Sequence, residues 1–219
     1  MTIETGVTGG GGLALAYGSF FDNKAAALAE LGAASSTTLG SSQAQLFPGW
    51  TAGLYAQTDL LSWLALRLEI AFESTGASRT ALTSGGSPFD QYGLSFASVN
   101  IPVLAVARFG LGPGHLFAAL GPFFGIVAGP VTVVDRYASA TTTAVVTPAF
   151  AHIWLLGLSG GIGYSFGLGP GIAGIELRSD WSILPVTAAG DGVNPIGIHL
   201  VVSYGYRLKT GKAAGTAAR

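Results

Sequence analysis

Residues Leu64 to Glu73 read LALRLEIAFE, and this stretch constrains the fold more than any other. Leu64, Leu66, Leu68, Ile70 and Phe72 alternate with Ala65, Arg67, Glu69, Ala71 and Glu73. A period of two sets these groups on opposite faces of a β-strand. As a membrane helix the same residues would carry Arg67, Glu69 and Glu73 into hydrocarbon, at a cost of several kcal/mol. The stretch is also about as long as a tilted strand needs to cross a bilayer, roughly 9–11 residues. Such a strand turns one face to lipid and the other to a polar lumen.

Composition agrees. The chain has 219 residues, of which 49% are hydrophobic and only 10% charged. A typical soluble domain carries about 25% charged residues. Mean hydropathy is +0.53, so part of the exterior is expected to meet lipid. A helical membrane protein is the main competitor, because no Asp, Glu, Lys or Arg occurs between Arg136 and Glu176. Pro148, Pro170 and the glycines of GLSGGIG and GLGPG divide that stretch into apolar blocks shorter than the roughly 20 residues of a spanning helix. The 34 glycines weigh against long helices in general. A soluble β protein is the other alternative.

A net charge of −1 offers no field for nucleic acid. Cysteine is absent, which removes disulfides and thiolate metal sites. The opening MTIETGVTGG lacks the basic start and apolar core of a secretory leader. It reads as a mature chain carrying an added initiator Met.

Eight strands are expected, at about 6–20, 49–58, 64–73, 93–109, 116–128, 150–166, 172–183 and 195–208. In the second, Trp50, Ala52, Leu54 and Ala56 oppose Gly53, Tyr55 and Gln57. In the fourth, Val99, Ile101, Val103, Ala105 and Ala107 oppose Asn100, Pro102, Leu104, Val106 and Arg108. The phase of the fifth is ambiguous. The seventh repeats the third, with Ile175, Leu177 and Trp181 against Glu176, Arg178 and Asp180. In the eighth, Leu200, Val202, Tyr204, Tyr206 and Leu208 face out and His199, Ser203, Gly205 and Arg207 face in. Gly10, Gly12, Ala14, Ala16, Gly161 and Gly163 leave lumen space that Tyr55 or Phe123 can fill.

Connections alternate in length. Thr58–Trp63, Gly110–His115 and Gly167–Gly171 are short; 21–48, 74–92, 129–149 and 184–194 are long. The expected fold is therefore all-β: an eight-stranded antiparallel up-and-down transmembrane β-barrel with short periplasmic turns and long extracellular loops. The barrel takes residues 1–208, and 209–219 form a polar, disordered periplasmic tail. The first long connection holds DNKAAALAELG, which predicts a helix over Lys24–Leu31, capped by Asp22 or Asn23 and ended by Gly32. It would pack on the barrel mouth. The long loops, rich in Ser, Thr, Gly and Ala, are expected to be exposed and flexible. Aromatic girdles are expected from Trp63, Phe109, Phe117, Phe166, Tyr204 and Tyr206 near the short turns, and from Phe20, Trp50, Phe72 and Trp181 near the long loops.

Val99–Gly110 (VNIPVLAVARFG) followed by Leu116–Val127 (LFAALGPFFGIV) resembles the porin-family domain of small bacterial outer-membrane barrels. That family often shows an E-I-P-L-x-x-K-Y-R-F strand, a short turn, and a strand with an A-G-P-Y core. Ile101-Pro102, Arg108-Phe109 and Gly121-Pro122-Phe123 match. Gly161, Ile162 and Tyr164-Ser165-Phe166 resemble its G-x-G-x-E-Y-R-F strand, and Glu176-Leu177-Arg178 its E-A-R-Y strand. Asn100, Val106 and Gly163 stand where the family often has charge. The resemblance implies an eight-stranded outer membrane protein, with motifs that mark structure rather than chemistry.

The candidate site is a lumen charge network of Arg67, Glu69, Glu73, Arg108, Glu176, Arg178, Asp180 and Arg207. Opposite charges in a narrow barrel should pair, because each buried alone is costly. The interior of an eight-stranded barrel can be filled by side chains, so the network is expected to plug the lumen. His115, His152 and His199 are scattered without HExxH or paired spacing, so no metal is expected. No phosphate loop is present; no catalytic residue, cofactor or enzyme activity is expected. The partners expected are outer-membrane lipid and an extracellular ligand reached through the loops at 21–48, 74–92, 129–149 and 184–194. The sequence thus reads as a non-enzymatic bacterial outer-membrane anchor presenting surface loops for envelope integrity or adhesion. The alternative is a narrow porin-like channel for small or hydrophobic solutes.

Overall fold

A computed structural model describes residues 2–19, 21, 22, 25, 26, 39–128, 131–137, 140–146, 154–186 and 192–209. The strands are β1 (Thr2–Tyr17), β2 (Leu39–Gln45), β3 (Phe47–Asp59), β4 (Leu64–Thr83), β5 (Pro88–Leu111), β6 (Gly114–Val127), β7 (Val131–Tyr137), β8 (Ala140–Val146), β9 (Trp154–Leu168), β10 (Gly171–Ser182) and β11 (Asn194–Lys209). Antiparallel pairing runs β1–β3–β4–β5–β6–β9–β10–β11 and returns from β11 to β1. These eight strands form a closed ring and correspond to the eight segments expected from alternation. β1 starts opposite the end of β11 (Thr2↔Lys209), at the end of the barrel that carries the short turns.

Two of those turns share the sequence Leu-Gly-Pro-Gly, at Leu111–Gly114 and Leu168–Gly171. Gly112 and Gly169 each have φ +58°. Left-handed backbone at the first turn position matches the twist of a two-residue hairpin and is strained for an L side chain. Gly112→Ala and Gly169→Ala should therefore each cost about 1–2 kcal/mol, read as a lower urea midpoint of the folded barrel.

The wall is two-faced across its membrane-spanning part. Leu66, Leu68, Ile70 and Phe72 of β4 are exposed on the outside, whereas Arg67, Glu69 and Glu73 are buried within. On β6 the ambiguous phase resolves with Leu116, Leu120, Phe124 and Ile126 outward. This corrects one girdle residue: Phe117 points into the lumen and is buried. Trp50, Phe72, Phe109, Phe166, Trp181 and Tyr206 are exposed on the outer wall, joined by Phe124 and Trp154, and Trp63 is exposed in the turn between β3 and β4. Trp50 packs on Phe72 at 5.4 Å and Phe124 on Trp154 at 5.1 Å between ring centroids. Phe20 lies outside the described residues.

The long connections differ most from expectation. Residues 74–92 are not a loop but the outer halves of β4 and β5, paired from Ser74↔Ala97 to Leu82↔Pro88. The hairpin closes where Thr83 N–H donates to Ser87 O and Gly86 N–H to Thr83 O. β4 has 20 residues and β5 has 24, roughly twice what a spanning strand needs. β2 pairs with the outer part of β4, β7 with the outer part of β5, and β8 with β7. The stretches 21–48 and 129–149 thus contribute strands, and the wall continues as a five-stranded sheet, β2-β4-β5-β7-β8, beyond the barrel. Phe21, Asp22, Ala25 and Ala26 are helical; most of the helix expected at Lys24–Leu31, its end at Gly32 and the tail from residue 210 lie outside the described residues.

Candidate functional site

Numbered around the ring, β4 and β10 are four strands apart and face each other across the lumen. Both carry their charges inward, and the charges meet. Arg178 of β10 donates from both terminal nitrogens to the two oxygens of Glu69 on β4, at 2.9 and 3.0 Å. Its Nε donates to Glu176 at 3.0 Å. Arg67 donates from Nε to Gln57 and from a terminal nitrogen to Glu176, each at 3.0 Å. Thr8 donates to Glu69 at 3.0 Å. A planar guanidinium matched to a carboxylate fork is the strongest form such pairs take. Buried charges need this full satisfaction to offset desolvation.

The eight candidate residues fall into tiers rather than one network. Arg67, Glu69, Glu176 and Arg178 form the central layer. Toward the short turns, Arg108 pairs with Asp59, and Arg207 with Glu4 at 3.4 Å. Tyr55 also donates to Glu4, at 2.8 Å. Toward the long connections, Glu73 accepts from Asn100 Nδ2 at 2.7 Å and lies 3.0 Å from His199 Nε2. Asp180 lines a cavity of about 20 Å³ with Glu73 and Asn100.

Glu4, Asp59 and His199 have roles that the sequence reading did not assign. Glu4 lies in TIETGVT, where Ile3, Thr5 and Val7 alternate too weakly to extend the first strand back to Thr2. Asp59 reads as part of a turn but is the last residue of β3. His199 faces inward as expected, and only closure of the ring brings it to Glu73.

The glycines of the inner wall are matched by large side chains. A Cβ on Gly157 would lie 2.4 Å from the Phe123 ring, one on Gly163 2.5 Å from Phe117, and one on Gly161 2.6 Å from a Glu176 oxygen. Gly161→Ala should displace the Glu176 carboxylate and destabilise the barrel by about 1–3 kcal/mol, measurable as a lower urea midpoint with the secondary structure unchanged.

An apolar cluster lies beyond Glu73. Phe21, Tyr92, Leu94, Phe123, Val186 and Val193 are all buried there. Phe21 comes from the first long connection and Val186 and Val193 from the last, so both fold into the mouth. Phe21 packs on Tyr92 at 6.1 Å, and Arg79 sits 5.0 Å above the Phe21 ring.

A closed eight-stranded ring with lipid-type residues outside and paired charges inside is the architecture of a membrane barrel. A family model for the outer membrane protein beta-barrel domain matches residues 3–188. The chain belongs to this family. As an outer membrane protein beta-barrel it points to the bacterial outer membrane, with the short turns periplasmic and the long connections outside. Similar solved structures include the outer membrane protein OprG from Pseudomonas aeruginosa, with 10% identity over 94% of this chain and 96% of that one and a TM-score of 0.45. Neisserial surface protein A (NspA) shares 11% over 91% and 95%, with a TM-score of 0.41. Ail, the attachment invasion locus protein of Yersinia pestis, solved in complex with the heparin analogue sucrose octasulfate, shares 13% over 95% and 100%, with a TM-score of 0.39. No curated protein matches the sequence.

Proposed function

We propose that this outer-membrane barrel is a closed anchor that carries a rigid extracellular sheet for contact with other surfaces or for envelope integrity. One observation carries the reading: the Arg178–Glu69 fork spans the lumen between opposite strands. Ions would have to break it to pass. The apolar cluster at the mouth supports the same reading, since hydrated solutes avoid it.

What remains available outside is the sheet β2-β4-β5-β7-β8. β4 and β5 continue the wall, and β2, β7 and β8 are hydrogen-bonded in sequence to them, so the sheet holds its shape where a flexible loop would not. Rigid presentation lowers the ordering cost of binding. The test replaces residues 78–93 with a two-residue Asn-Gly turn joining β4 to β5. The trimmed barrel should still fold, and cells carrying it should lose surface attachment or resistance to envelope-perturbing detergent. Cells that keep both properties would contradict the proposal.

The narrow-channel alternative draws on the cavities on either side of the central layer, each about 20 Å³. It requires Arg178 to let go of Glu69 during passage.

A further inference from the structure

Charge balances through most of the lumen but not at its extracellular end. Arg67 and Arg178 answer Glu69 and Glu176, Arg108 answers Asp59, and Arg207 answers Glu4. Among the described residues no arginine or lysine lies within ion-pair distance of Glu73 or Asp180. The one basic group there is His199, with Nε2 3.0 Å from Glu73 Oε1. Two acids on a closed wall are thus opposed by a single imidazole. Donor atoms of Glu73, Asp180 and His199 all lie within 4.8 Å of one another. Ligand atoms around a tetrahedral zinc, about 2.0–2.2 Å from it, stand about 3.3–3.5 Å from one another, so the three donors need draw in by at most about 1.5 Å.

A second observation is independent of these three residues. Thr75 and Ser98 line the same cavity, are 4% and 1% exposed, and leave their hydroxyl oxygens without a hydrogen-bond partner. Buried hydroxyls without partners are uncommon, and each calls for an explanation. The cavity of about 20 Å³ has room for one ion or one water.

We propose that Glu73, Asp180 and His199 bind one divalent first-row transition-metal ion, of the zinc, iron or manganese kind. One imidazole and two carboxylates form a borderline donor set suited to these ions. The carboxylates neutralise the ion's charge, which resolves the imbalance. The Ser98 and Thr75 oxygens complete the shell directly or through water. Asn100, donating to the second oxygen of Glu73, orients that carboxylate from outside the ligand set. The ion ties β4, β10 and β11 together beneath the apolar mouth.

The test uses tag-free protein folded in detergent micelles, stripped with chelator and titrated calorimetrically with Zn²⁺. One ion per chain is expected, bound at least tenfold more weakly by Asp180→Asn and His199→Gln and unchanged by Glu4→Gln. Co²⁺ should give visible d–d bands in the unaltered protein that are clearly more intense than those of aqueous Co²⁺ and are lost on addition of excess Zn²⁺. That spectrum decides the matter even if a variant fails to fold. Absence of stoichiometric Zn²⁺ binding and of Co²⁺ bands in folded protein would overturn the proposal. Unweakened binding by both folded variants would do the same, as would Mg²⁺ or Ca²⁺ binding as tight as Zn²⁺.

Discussion

Arg178→Ala should lower the stability of the folded barrel by about 3–5 kcal/mol, the cost of leaving buried carboxylates without their cation. Arg178 is 4% exposed and holds both Glu69 and Glu176. Removing it leaves Glu69 with Thr8 as its remaining hydrogen-bond donor and Glu176 with Arg67. The loss concerns unpaired charge, not packing volume, so it should be recovered in part by removing the charge it leaves. Arg178→Met combined with Glu69→Leu should be markedly more stable than Arg178→Met alone, because an apolar replacement of a buried pair is often close to neutral. Urea unfolding of the single and double variants in lipid vesicles gives the coupling energy directly. Additive effects would mean that the two groups do not interact across the lumen.

One residue away, the opposite substitution should be as damaging. Leu177 lies on the outer wall midway along β10, among Ile175, Leu200 and Ile162. Leu177→Arg places a guanidinium at the centre of the hydrocarbon layer and should cost about 2–4 kcal/mol, whereas an arginine near an interface costs about 0–1. Tyr206→Arg, close to the short-turn end of β11, is the comparison. The same vesicle-based unfolding reads both. If Leu177→Arg and Tyr206→Arg have equal effects, the outer wall does not span the hydrocarbon with Leu177 at mid-depth. Together Arg178 and Leu177 show how strictly alternation is enforced: neighbouring positions require opposite chemistry.

The ring itself was legible because lipid and lumen impose opposite demands on successive residues. Leu64–Glu73 and Ile175–Trp181 carry that contrast in full, and they became the strands that meet across the lumen. Legibility ended where the bilayer ends. From Ser74 to Ala81 small and polar residues, with Arg79, occupy both faces, since no lipid demands apolar ones, yet the backbone pairing continues to Ala81↔Asp90 before its register shifts at Leu82. The sequence there reads as loop and the structure is strand. Phe117 was misassigned because an aromatic near a turn suits a girdle, while Gly163 opposite it leaves space only inside. Arg67, Glu69, Glu73, Glu176 and Arg178 are buried and Arg207 is half exposed; the partition of the candidate charges into tiers depends on which strands lie opposite. No spacing in the chain pairs Glu73 with His199; ring closure does.

The central claim is that the lumen is closed, and single-protein conductance in a planar bilayer tests it most directly. Protein shown to be folded by its resistance to protease should insert without opening a steady ionic current. A steady current through the unaltered barrel, changed in size when Arg67 and Arg178 are replaced by alanine, would contradict the account and make the lumen a conducting path.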